Sequence, residues 1–196
     1  MSHYQNTCLF ALLFALALPR SYAGEKDAKP DLRGSVSADN VYANPALGMT
    51  IKLPGNWALL DITSETPNDP GCTGPLCGPP DINVVLESKS AYRLYLSGWK
   101  LSGQYLNRAR YPLKWFAQIM LEGSLAGTNL VPVGDRTALQ LGGKPAFRLL
   151  TARRGEATPT SLGYVSESNG YVFLMVGATR TDPQRLQSSI EAMKFD

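Results

Sequence analysis

The period of the apolar positions changes along the chain, and the changes divide it. Residues 8–19, CLFALLFALALP, form an uncharged apolar run. Residues 24–37, GEKDAKPDLRGSVS, mix both charges without periodicity and read as part of a flexible lead-in over 24–38. From Val41 the spacing becomes strand-like. VYANPALGMTIKLP reads as two short strands around a turn at Asn44–Gly48, and WALLDI (57–62) as a third. A Gly/Pro-rich loop over 66–81 interrupts, INVVLES (82–88) resumes, and YRLYLSGW (92–99) follows, broken near Gly98.

The period then lengthens. In YPLKWFAQIMLEGSLAG, Leu113, Phe116, Ala117, Met120 and Leu121 fall on one helical face, widened by Trp115 and Ile119. Pro112 suits the first turn, where its missing N–H costs nothing. Gly127 suits the exit, with Gly123 as an earlier stop.

The last third reads as successive antiparallel strands: LVPVGDRTALQL, KPAFRLLTAR, SLGYVSES and YVFLMVGATR. Gly142–Gly143 and Asn169–Gly170 are tight-turn dipeptides, suited to turns whose central residues need positive φ. Tyr171, Phe173 and Met175 alternate with Val172, Leu174 and Val176, so both faces of that strand are expected to be covered. A closing helix starts at Asp182–Pro183, with Leu186, Ile190 and Met193 as its buried stripe. The expected fold class is α+β: a single antiparallel β-sheet flanked by two main helices, an α/β/α sandwich over residues 39–196.

The N-terminus adds a compartment. The apolar run is shorter than the roughly 20 residues of a membrane span, and Ser21-Tyr22-Ala23 after it has the small-residue pattern of a signal-peptidase site. Residues 1–23 read as a signal peptide cleaved near Ala23–Gly24, leaving no transmembrane segment and a periplasmic or secreted protein. Cys8 lies inside the apolar run, not after it, so it is not placed to carry a lipid.

Cleavage changes the chemistry. The 196-residue chain holds 19 Lys+Arg against 16 Asp+Glu, and Arg20 leaves with the signal peptide, so the net charge falls from +3 to +2. That balance does not point to nucleic acid. His3, the single histidine, leaves too. The mature chain then has no histidine base and no histidine metal ligand. The remaining pair, Cys72 and Cys77, reads as a disulfide in an exported protein. It closes a six-residue ring worth about 2 kcal/mol in the chain-entropy treatment. A redox reading expects Cys-x-x-Cys at a helix N-terminus, and a metal reading lacks further ligands.

Catalytic motifs are thin. SGWK (Ser97–Lys100) matches the S-x-x-K of penicillin-binding enzymes, but Gly98 suits a turn and the S-D-N and K-T-G partners are missing. Asp61, Glu65, Asp69, Asp81 and Glu87 lack calcium-loop spacing and read as a solvated acidic face. No Gly-rich phosphate loop follows a strand, so no cofactor and no metal are expected.

Charge is segregated along the chain. Between Glu87 and Glu122 there is no acid, while Lys89, Arg93, Lys100, Arg108, Arg110 and Lys114 lie there with Tyr92, Tyr95, Trp99, Tyr105 and Tyr111 interleaved. Arginine beside aromatic rings is the composition of an interaction hot spot. Arg93, Trp99, Lys100, Tyr105, Arg108 and Arg110 are the candidate partner-binding residues. The competing reading is a solvated basic loop whose rings anchor it to the core.

The order of these features resembles a known family. Y-x-N-x-x-x-G-M-x-I-x-L-P-x-x-W (Tyr42 to Trp57), a helix, GGKPAFRL, two strands and a closing IEAMKFD look like the PsbP-like superfamily, which includes DcrB-like periplasmic proteins. The resemblance covers about residues 40–196 and implies a small non-enzymatic partner or assembly factor; the basic aromatic surface adds the expectation of an envelope protein or acidic envelope polymer as its partner. It supplies no catalytic residues, and the Cys-bearing insert departs from its pattern. The alternative function is a small exported hydrolase using a carboxylate or Ser/Lys site.

Overall fold

The computed structural model of the chain describes residues 32–60, 76, 78–89, 92–179 and 182–196. The apolar run at 8–19, the cleavage position, and both Cys72 and Cys77 lie outside these residues. The chain order is β1 (Ser35–Val36), β2 (Val41–Asn44), β3 (Met49–Lys52), β4 (Trp57–Leu60), β5 (Ile82–Ser88), β6 (Tyr92–Lys100) and α1 (Leu113–Gly123). There follow β7 (Leu130–Pro132), β8 (Thr137–Leu141), β9 (Lys144–Arg153), β10 (Ser161–Ser168), β11 (Tyr171–Thr179), α2 (Pro183–Glu191) and β12 (Lys194–Phe195).

These strands make two sheets, which corrects the expectation of a single sheet flanked by two helices. An eight-stranded sheet runs β4-β5-β6-β11-β10-β9, with β7 and β8 sharing the outer edge of β9. A four-stranded sheet runs β1-β2-β3-β12. All pairings are antiparallel. One face of the large sheet carries α1, over Val165, Val172 and Leu149. The other packs Leu162, Tyr164, Phe173 and Met175 against α2 and against Tyr42, Met49 and Ile51 of the small sheet. The small sheet exists because β2 and β3 each bury one side only, and because the chain returns after α2 to lay Phe195 opposite Met49. A two-residue strand has no period to read, so neither β1 nor β12 shows in the apolar pattern.

Ser35–Val36 also places the start of paired structure before residue 39. Strand β6 continues through Gly98 without a break: Gly98 faces Ile82, and a Cβ there would stand 3.3 Å from the Ile82 side chain, so glycine makes room between paired strands. The 130–141 stretch is two strands, because Gly134 adopts φ +77° between them. Elsewhere β5, β9 and β10 match the sequence reading, and Asn169 (φ +50°) with Gly170 (φ +80°) forms the expected turn between β10 and β11.

Both helices dock through the predicted faces, except that α2 ends at Glu191 and the buried Met193 of the expected stripe lies just beyond it. Phe116, Ala117, Met120 and Leu121 are buried on α1, which stops at Gly123. Asp182 caps α2 by accepting from the Arg185 N–H at 3.0 Å. Leu186 and Ile190 are wholly buried, and burial of each such side chain contributes about 1.5–3 kcal/mol. At the end of α2, Glu191 Oε1 accepts from the Tyr164 hydroxyl (2.9 Å) and from Arg148 Nη1 (2.6 Å), which ties α2 to β9 and β10.

Candidate functional site

The basic aromatic segment leaves the large sheet where β6 ends. Two bonds pin its start: Lys100 N–H donates to Asp81 Oδ2 (2.8 Å) and Leu101 N–H to the Gly170 carbonyl (2.8 Å). A 3-10 turn, Gly103–Leu106, follows. Asn107 then reverses the chain, its Oδ1 accepting from the N–H groups of Ala109 (3.1 Å) and Arg110 (3.3 Å) and its carbonyl from Tyr111 (2.8 Å). Pro112 caps α1 with extended backbone, and no acidic residue lies in the first helical turn.

The aromatic side chains pack on one another. Tyr105 and Tyr111 centroids lie 4.9 Å apart, Tyr111 and Trp115 5.1 Å, and Trp115 and Phe116 4.9 Å. The tilted and edge-on geometries are those that ring quadrupoles favour. The loop therefore has its own small core, continuous with the layer between α1 and the large sheet. Trp99 belongs to that layer: it is buried, and its Nε1 donates to the Gly78 carbonyl at 3.4 Å.

The candidate residues separate into groups. Trp99 and Tyr105 share the core layer under α1, Arg108 bonds to the Tyr105 carbonyl, and Arg110 lies over the Tyr111 ring. Lys100 lies on the opposite face of β6 from Trp99, its ammonium 6.0 Å from the Tyr171 ring centroid. Arg93 is at the far end of β6, seven residues or about 23 Å of strand away, where its Nε meets Glu87 Oε1 at 2.6 Å. That hydrogen bond raises the Arg93 pKa further above its normal range.

Arg108 is woven into the fold. Its Nη2 stands 2.7 Å from Glu167 Oε2 on β10, its Nη1 donates to the carbonyls of Tyr105 (3.3 Å) and Tyr111 (3.4 Å), and its guanidinium lies 5.5 Å from the Phe116 ring centroid. Arg110 sits 5.5 Å from the Tyr111 ring centroid and, like Lys114, has no carboxylate partner among the described residues. Leu106 is 58% exposed, the one exposed large hydrophobic side chain among the described residues. The charge pattern singled out the arginines and missed Leu106; its signal was a lone leucine among Gln104, Asn107 and Arg108. Nothing in the sequence marked Glu167.

Serine–lysine geometry is also on view. Ser97 and Lys100 project from opposite faces of β6, so the S-x-x-K match places no amine beside that hydroxyl. A different pair does meet: Lys144 Nζ donates to Ser168 Oγ at 2.6 Å. Ser168 is 5% exposed and directs its proton to the Leu47 carbonyl at 2.5 Å, so its hydroxyl joins β10 to the turn between β2 and β3. The proton faces a carbonyl and not a base, which is structural bonding and not nucleophile activation. Among the described residues no three of His, Cys, Asp or Glu converge as metal ligands do. Nor is any helix there long and apolar enough to cross a membrane.

The fold these elements define is PsbP-like. The solution structure of cyanobacterial PsbP (CyanoP) from Synechocystis sp. PCC 6803 superposes with a TM-score of 0.52 at 13% identity, over 83% of this chain and 96% of that one. LpqN of Mycobacterium tuberculosis, a protein involved in cell envelope biogenesis, gives a TM-score of 0.45 at 18% identity, over 74% of this chain and 82% of that one. At these identities the likeness describes the fold alone. No protein-family model and no curated protein matches the chain.

Proposed function

We propose that this chain is exported after cleavage near Ala23–Gly24 and works as a non-enzymatic, envelope-associated binding module whose contact surface is the loop between β6 and α1. The observation that carries the reading is Leu106, 58% exposed on a loop whose aromatic side chains, Tyr105 and Tyr111, pack inward, with Arg110 exposed and unneutralised four residues on. A lone exposed leucine is ordinary on a protein surface; what supports a contact surface here is its combination with packed aromatic rings and cations that no carboxylate neutralises. Arg110 and Lys114, exposed and without a carboxylate partner among the described residues, follow Leu106 by four and eight residues and supply positive charge at the end of the loop and the start of α1. Arg108 serves differently, by holding the loop in shape.

The experiment is fractionation of the native envelope. Arg110→Glu with Lys114→Glu should release the protein from envelope association, while Arg153→Glu with Arg154→Glu, an exposed pair elsewhere on the surface, should not. Equal retention of both double variants overturns the reading.

A further inference from the structure

We infer that the occupant of this loop is an acidic protein segment bearing an apolar side chain, which covers Leu106 while its carboxylates meet Arg110 and Lys114. The inference rests on the loop being the binding surface. It follows from what each class of partner leaves unmet. A sugar or phosphate polymer meets the cations and leaves Leu106 in water. It also favours a row of free cations, and Glu167 already occupies Arg108 at 2.7 Å.

A bilayer covers Leu106 but finds few cations. Arg110 on the loop and Lys114 in the first turn of α1 are the free ones, because Lys100 lies on the other face of β6. Polybasic lipid recognition uses clusters of about four to eight cations. A protein segment with acidic and apolar side chains satisfies both features at once. The supporting rings suit it too: Tyr105, Tyr111 and Trp115 are half-buried and packed in tilted and edge-on contacts, so little further ordering is needed on binding. The loop segment itself carries no acid, since the chain has none between Glu87 and Glu122, and Glu167, the carboxylate that reaches the loop from β10, is engaged by Arg108 at 2.7 Å.

The test uses the full chain and a fluorescein-labelled peptide, Glu-Glu-Leu-Glu-Glu-Phe-Glu-Glu, read by fluorescence anisotropy. Poly-glutamate, polyphosphate and mixed phosphatidylglycerol–phosphatidylcholine vesicles are the comparison probes. The peptide should bind more tightly than poly-glutamate, and Leu106→Ser should reduce it to the poly-glutamate level. Arg110→Gln with Lys114→Gln should raise its Kd roughly tenfold and flatten its salt dependence. All three side chains are exposed, so an unchanged melting temperature shows that the variants are folded. Peptide binding no tighter than poly-glutamate, or unaltered in the variants, overturns the inference. Tighter binding to vesicles or polyphosphate that is lost in the same variants overturns the partner class and leaves the loop as a binding surface. Variants that change binding to no probe overturn both.

Discussion

Arg108 Nη2 and Glu167 Oε2 stand 2.7 Å apart, joining the loop before α1 to strand β10 across 59 residues of sequence. Both side chains are about one-third exposed (36% and 34%), so water screens the pair and its own contribution is modest, about 0.5–1 kcal/mol. The Phe116 ring face under the guanidinium adds about as much. Arg108→Gln is therefore expected to lower stability by about 1–2 kcal/mol, measured by urea unfolding. Arg110→Gln, which breaks no ion pair, should stay within about 0.5 kcal/mol of wild type. Equal effects of the two would show that Arg108 has no holding role.

Tyr164 gives an alkaline signature. Burial first, then the neighbouring Glu191 carboxylate, push its pKa far above the usual tyrosine value, with Arg148 opposing in part. A raised folded pKa means that stability is fully present below the unfolded pKa, about 10, and is lost as pH rises beyond it. Phenolate absorbance should show Tyr164 ionising only as the protein unfolds. Tyr164→Phe should remove the steepest part of the alkaline loss. At neutral pH it should cost about 1 kcal/mol through the lost bond to Glu191. Ionisation of every tyrosine in a folded protein would contradict this.

Gly163 sets the distance between α1 and the large sheet. A Cβ there would come 2.7 Å from Leu121 Cδ2. Gly163→Ala should cost about 1–3 kcal/mol by overpacking. In a double-mutant cycle, Leu121→Ala should recover part of that cost, because it removes the colliding methyl groups. Additive costs would mean that the helix is free to shift.

The proposed export has a chemical test in Cys72 and Cys77. Intact-mass measurement should find a chain starting at Gly24, and alkylation should label Cys72 and Cys77 only after reduction. Label uptake without reductant, or a full-length chain beginning at Met1, would remove the exported reading. The disulfide is expected to add about 2 kcal/mol, read as the stability lost on reduction.

Much of the fold was legible because its strands and helices are long enough to show a period. Strands β5, β9 and β10 follow alternating or continuous apolar runs ended by turn residues, and α2 follows a cap, a proline and a stripe. The candidate site was legible by charge and composition, which marked residues 89–114, but not by role. Arg108 and Arg110 are two residues apart and look alike in sequence. One is held by Glu167 and Phe116, the other lies over the Tyr111 ring, and only the folded chain distinguishes them.

By itself the sequence determined the antiparallel α+β character, the two helical faces, the positive-φ turn at Asn169–Gly170 and the basic aromatic composition of the loop. These are local properties, set by side-chain period and backbone sterics within a few residues. Tertiary structure alone decided that there are two sheets, that Lys194–Phe195 returns to pair with β3, that Lys100 parts from Trp99 across β6, and that Leu106 stays in water. Each of these depends on which distant segment arrives beside a residue, and pairing energies between segments far apart in the chain leave no period in the chain itself.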